Sequence, residues 1–143
     1  MPTREGTAEW KGDLRNGSGT VRVASGLFEG QYSYSTRFEE GTGTNPEELI
    51  GAAHASCFSM ALSNILAEAG HTADVVTTTA RVHLRPVDGS PTITQIELVT
   101  EGRVPGIDQD QFSEYANQAK AGCPVSRALA GVGEIGLQAT LQS

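Results

Sequence analysis

The 143-residue chain carries 10 Lys and Arg against 17 Asp and Glu, giving a formal net charge of -7 with 38% apolar residues. That size suits one globular domain over residues 1–143, with enough core to fold without metal or disulfide staples. The acidic balance and the lack of any Lys/Arg run argue against nucleic acid as a partner. The first ten residues hold no apolar core of signal-peptide length, and the sequence shows no uninterrupted apolar stretch of about 18 residues. The expected placement is therefore cytoplasmic, with no membrane partner.

Residues 1–44 contain short β-type runs at 8–11, 20–24 and 27–38, punctuated by Gly12, Gly17, Gly19 and Gly26. They predict an antiparallel meander with Arg37 at the end of its third strand. Asn45 as N-cap, Pro46 at the first helical position and Glu48 as capping-box partner then start a helix over 46–69, which Gly70 stops. Its middle is small or apolar nearly all round, so it needs burial on most sides. Alternation over 74–85, a turn at 87–91 and a second run through Val104 predict a hairpin. Asp108 caps a helix ending near Gly122, Cys123-Pro124-Val125-Ser126 opens a short one, and 134–141 forms a last strand. The order β-β-β-α-β-β-α-α-β gives an α+β fold with an antiparallel sheet and a long central helix. In so small a chain that helix keeps an uncovered face, which implies a homodimer.

Two cysteines, Cys57 and Cys123, are the residues that can carry reactive chemistry, although a lone Cys in a helix of Ala and Ser is more often a small core residue than a nucleophile. In a reducing compartment such a pair is more often catalytic or simply buried than a structural disulfide. His54, His71 and His83 show no metal-ligand spacing, and no dinucleotide or phosphate loop is present, so no metal or nucleotide cofactor is expected. Cys123 opens a helix, where a thiol is generally acidified; Cys57 lies mid-helix and needs a nearby cation, for which Arg37 is the candidate. Taken alone, Arg37 reads more readily as a surface ion pair with Glu39 or Glu40, and Glu47 and Glu48 as ordinary first-turn acids. His54, three residues before Cys57 on one helical face, permits a Cys-His pair of the hydrolase type. A non-catalytic protein binding apolar ligands is the third class.

Thr36-Arg37-Phe38, the run Gly43-Thr44-Asn45-Pro46-Glu47-Glu48-Leu49 leading to His54-Ala55-Ser56-Cys57-Phe58, and Lys120-Ala121-Gly122-Cys123-Pro124-Val125-Ser126 fall in order along nearly the whole chain. In these segments the sequence resembles the OsmC/Ohr family of bacterial thiol-dependent organic hydroperoxide reductases, on its osmotically inducible protein C side. The resemblance implies an intertwined homodimer around two long helices, with two active sites at the interface. It implies Cys57 as the peroxidatic cysteine, Cys123 as the resolving one, Arg37 as the cation holding the thiolate and Glu47 as the carboxylate that holds Arg37. It further implies an organic hydroperoxide substrate, no metal or flavin, and an external thiol, dithiol or lipoyl-type reductant. An alkyl-binding mouth is expected around Phe38 and Phe58.

Overall fold

The computed structural model describes residues 1–143 and divides by internal packing into two compact units, Met1–Leu49 and Ile50–Ser143. The first holds β1 (Gly6–Lys11), β2 (Ser18–Val23) and β3 (Glu29–Tyr32), an antiparallel three-stranded meander in that order. The third run does not continue to Phe38. Ser33 turns the chain into a short helix, α1 (Tyr34–Phe38), because its hydroxyl accepts from the Thr36 N–H while the Thr36 hydroxyl accepts from the Ser33 N–H. A local capping box thus outweighs the β preference of Tyr, Thr and Phe, and Arg37 sits on a helical turn rather than on a strand.

Gly43 has φ +144, and a Cβ there would come within 2.6 Å of the Gln31 carbonyl oxygen. Only glycine lets the chain pass this close on its way to Asn45. Asn45 Oδ1 accepts from the Glu48 N–H at 2.7 Å and starts α2 (Pro46–Glu68). The capping box is half formed, since the Glu48 carboxylate accepts from the Thr44 hydroxyl at 2.7 Å.

The second unit holds most of α2, β4 (Val75–Val87), β5 (Ser90–Arg103), α3 (Gln109–Gly122), α4 (Pro124–Ala128) and β6 (Glu134–Gln142). The expected hairpin forms between β4 and β5, turning at Asp88 (φ 51) and Gly89 (φ 81), the two left-handed residues such a turn requires. One feature departs from the antiparallel expectation: β6 lies beside β5 in parallel, so the sheet β4-β5-β6 is mixed. Alternation marks 134–141 as a strand but says nothing of its direction; the crossover through α3 and α4 brings it in parallel.

The core gathers Phe58, Leu62 and Leu66 of α2, Leu98 of β5, Val104, and Phe112, Ala116, Ala119 and Cys123 of α3 and its end. Gly102 makes room on β5: a Cβ there would meet the Phe112 ring at 2.6 Å. From His54 onward the buried residues of α2 recur every fourth position, His54, Phe58, Leu62 and Leu66. The other faces are open, with Met60 76% exposed and Ala52, Ala53, Ser56 and Ala67 exposed. The expectation of a helix buried on most sides is thus unmet within one chain. By length and composition alone, α2 is also long and apolar enough to cross a membrane. A core helix passes the same test, and buried His54 at its centre fits that alternative.

Candidate active site

The first unit fixes a cation. Arg37, on α1, donates from Nε to Glu47 Oε1 at 2.9 Å and from Nη2 to Glu47 Oε2 at 3.3 Å, a two-point clasp. Three contacts fix its geometry: the Ser33–Thr36 box, Asn45 Nδ2 donating to the Thr36 carbonyl at 2.9 Å, and Asn45 capping the helix that presents Glu47. The Glu47 side chain is 9% exposed and that of Arg37 38%, so the carboxylate is committed to the clasp while the guanidinium keeps an open side. Arg37 is therefore no surface partner of Glu39 or Glu40. Beside it Trp10, Leu14, Tyr32, Tyr34 and Phe38 line an apolar pocket that Arg37 also borders. The Trp10 and Tyr32 rings pack in a tilted pair with centroids 5.3 Å apart, and those of Tyr34 and Phe38 likewise at 4.9 Å. The expected part for Phe58 is corrected: it is wholly buried in the core and lines no mouth.

The second unit fixes two thiols. Cys123, at the junction of α3 and α4, places its Sγ 2.9 Å from Cys57 Sγ and donates to it. Both cysteines are free, Cys123 fully buried and Cys57 half-buried. Burial pushes the Cys57 thiol up, and the neighbouring Cys123 adds to this, against the Val125 N–H and the Arg127 charge, which favour a thiolate. Cys123 shifts the other way. Burial raises it too, but Cys57, the N–H groups of Ser126 and Val125, and the Ser126 hydroxyl together bring it down. These groups act on Cys123 as nearby dipoles, since its side chain makes no cap hydrogen bond in strict geometry.

The orientation of the thiol–thiol bond and the surroundings therefore point opposite ways: Cys123 is placed to donate, yet negative charge is better accommodated on it. The donors around Cys123 make it the more acidic of the two thiols within this unit, in line with the helix-start argument. A thiolate on Cys57 needs a further cation. The Cys57–His54 pair is not formed. His54 is fully buried and its Nε2 lies 2.6 Å from Ser126 Oγ, which leaves the hydrolase reading without its base. Ser126 is the residue that sequence reasoning passed over, although its place three after Cys123 in Gly-Cys-Pro-Val-Ser puts it one turn from the thiol. Nowhere do three His, Cys, Asp or Glu side chains cluster as a metal site.

The OsmC-like protein family model matches residues 39–136, a span that holds Glu47, both thiols and Ser126. The chain belongs to the OsmC-like family. It is 54% identical over 127 residues to Peroxiredoxin OsmC of Escherichia coli (strain K12), covering 88% of this chain and 89% of that protein. It is 35% identical over 95 residues to an organic hydroperoxide resistance protein-like chain of Staphylococcus aureus (strain bovine RF122 / ET3-1), covering 64% of this chain and 66% of the other. Among solved structures, an organic hydroperoxide resistance protein from Elizabethkingia anophelis superposes with a TM-score of 0.73 at 24% identity, covering 100% of this chain and 97% of that one. The α+β fold is thus the fold of this OsmC-like family.

Proposed function

We propose that this OsmC-like chain reduces organic hydroperoxides to alcohols, with Cys57 as the nucleophile and Cys123 as the resolving thiol. The coarse reading, a cysteine-based peroxidase with a part in peroxide detoxification, follows from family membership and from the identity to a peroxiredoxin. The observation that carries the finer reading is the pair of free thiols 2.9 Å apart, brought together from 66 residues' separation in sequence. Cys57 thiolate attacks one peroxide oxygen, the O–O bond breaks, and the alkoxide leaves to take up a proton. Cys57 is now a sulfenic acid. The Cys123 thiolate displaces hydroxide from it, forming the S–S bond and, with one proton, water. An external dithiol or lipoyl-type reductant then supplies two electrons and two protons by exchange and restores both thiols.

Arg37, clasped by Glu47, is the cation that stabilises a thiolate on Cys57 and meets the peroxide oxygen. The aromatic pocket beside it takes the alkyl group. α2 runs unbroken from Pro46 to Glu68, so Glu47 and Cys57 are ten residues apart, about 15 Å along one helix. We therefore read the site as shared in a cytoplasmic homodimer, the Arg37–Glu47 clasp of one protomer meeting the thiols of its partner. The open face of α2 is the surface such a dimer buries. Consumption of cumene hydroperoxide and of H2O2, each with a monothiol and then a dithiol donor, tests this. Faster turnover of the alkyl peroxide with the dithiol is expected, and equal or better turnover of H2O2 would overturn the substrate class.

A further inference from the structure

His54 of α2 and Ser126 of α4 are 72 residues apart in sequence, are both buried, and meet at 2.6 Å. The peroxide chemistry does not use His54. Its other ring nitrogen, Nδ1, is buried without any hydrogen-bond partner. An orphaned N–H is the rarer and costlier of the two possibilities, so Nδ1 carries the lone pair and the ring proton is on Nε2. Burial lowers the ring's pKa and so disfavours the charged, doubly protonated form. Nε2–H then donates to Ser126 Oγ. A hydroxyl has one proton to give, and with its acceptor side occupied by His54 that proton is free for a third group. His54 lies one turn before Cys57 on α2 and Ser126 one turn after Cys123 at the start of α4, so the His54–Ser126 contact and the Cys57–Cys123 contact at 2.9 Å run side by side between the same two elements, and the nearest group with a use for that proton is the Cys123 thiol.

We propose that His54 and Ser126 are positioning residues for the resolving step: His54 Nε2–H fixes the Ser126 hydroxyl so that its Oγ–H points to Cys123 Sγ as that sulfur attacks the Cys57 sulfenic acid. This rests on the peroxidase reading above. In the step, the Cys123–Cys57 S–S bond forms and the Cys57 S–O bond breaks. The Cys123 sulfur is oxidised, the Cys57 sulfur reduced, and the proton lost by Cys123 ends on the departing hydroxide as water. Ser126 supplies a hydrogen bond to the attacking thiolate and gives up no proton, and His54 stays neutral throughout.

Ser126→Ala, Ser126→Thr and His54→Gln, each checked for native circular dichroism, are oxidised with one equivalent of cumene hydroperoxide. Sulfenic acid is trapped with dimedone, and disulfide formation is followed by mass under non-reducing conditions. Ser126→Ala should form the sulfenic acid at the parental rate and close the disulfide roughly 10- to 100-fold more slowly, the worth of one hydrogen bond to a charged group. Its resolution profile should also move to higher pH. Ser126→Thr, which keeps the hydroxyl, and His54→Gln, which keeps a donor, should recover most of the rate. Parental resolution in Ser126→Ala, or equal slowing of both steps, overturns the proposal.

A second measurement needs no peroxide. In a Cys57→Ser background, the ultraviolet thiolate absorbance of Cys123 is titrated with Ser126 and with Ser126→Ala. An upward shift of the midpoint supports the positioning role, and an unchanged midpoint overturns it. If the parent protein never forms a sulfenic acid, the peroxidase reading fails, and this titration still decides what Ser126 does to Cys123.

Discussion

Replacing Glu47 by Gln keeps the side-chain shape and removes the charge from the clasp on Arg37. The Gln carbonyl can still accept from Arg37 Nε, where the native contact is 2.9 Å, but its amide NH2 then faces Nη2, where the native contact is 3.3 Å, and two donors oppose each other. One charge-assisted bond is lost and the other loses its ionic character, about 2–3 kcal/mol between them before solvent is considered. The Arg37 side chain is 38% exposed. Water therefore takes back part of that loss, which leaves about 1–2 kcal/mol, or roughly 5- to 30-fold in any rate that depends on a held guanidinium. The assay is kcat/KM for limiting cumene hydroperoxide with dithiol in excess, alongside the single-turnover rate of disulfide closure. The first should fall by the stated factor and the second should hold. A parental kcat/KM in a folded Glu47→Gln protein, or a loss confined to disulfide closure, would refute the reasoning that Glu47 works through Arg37 on the peroxide step.

Cys57→Ser should abolish peroxide reduction, whereas Cys123→Ser should allow one oxidation to a trappable sulfenic acid and then stall with dithiols; the reverse pattern by mass spectrometry would exchange the two roles. Mixing Glu47→Ala with Cys57→Ser subunits should return part of the activity, because a shared site lets the heterodimer assemble one complete centre, and verified heterodimers without activity would place each site within one chain. Sedimentation should show the parent protein as the proposed dimer and Met60→Glu, which puts a charge on the open face of α2 where Met60 is 76% exposed, as a weakened one; an unaltered dimer would move the interface elsewhere, and a monomeric parent would remove the dimer. Burial lowers the His54 pKa below its ordinary 6.5. As pH falls through 6.5 the unfolded chain therefore takes up a proton that the folded chain refuses. Stability is full above that pH and should drop by up to about 1.4 kcal/mol per pH unit below it, until the folded pKa is reached. Urea titrations of parent and His54→Gln should differ in this slope, and parallel slopes would count against a neutral buried ring.

Local chemistry made much of the fold readable. Asp108 caps α3 with Gln111 answering it, Asn45 opens α2, and Asp88-Gly89 turns the β4–β5 hairpin, because each rests on residues one to three apart. The misreadings came where two local preferences compete or where the decisive partner is distant. Residues 34–38 have β-type side chains, and the Ser33–Thr36 box still makes them helical. The direction of β6 depends on a crossover that no periodicity encodes. Of the candidate site, the apposition of Cys57 and Cys123 and the clasp of Arg37 by Glu47 were legible only through resemblance to a family, since composition gives no reason for residues 66 apart to meet. His54 was legible in principle. The four-residue spacing His54, Phe58, Leu62, Leu66 places it in the core row, but a helix that is small and apolar on every side gave no way to choose that row.

The 66 residues between the two thiols also set a thermodynamic scale for the catalytic cycle. A bond across that span removes loop-closure freedom from the unfolded chain worth about 4 kcal/mol on the chain-entropy view. By linkage, the folded chain favours its own oxidation over that of the same cysteines in an unfolded chain by the same amount, roughly 90 mV for a two-electron couple. In the proposed cycle each turnover then passes through the form of the protein that is hardest to unfold, and a thermal melt of the oxidised and reduced chains should read the redox state of the site directly.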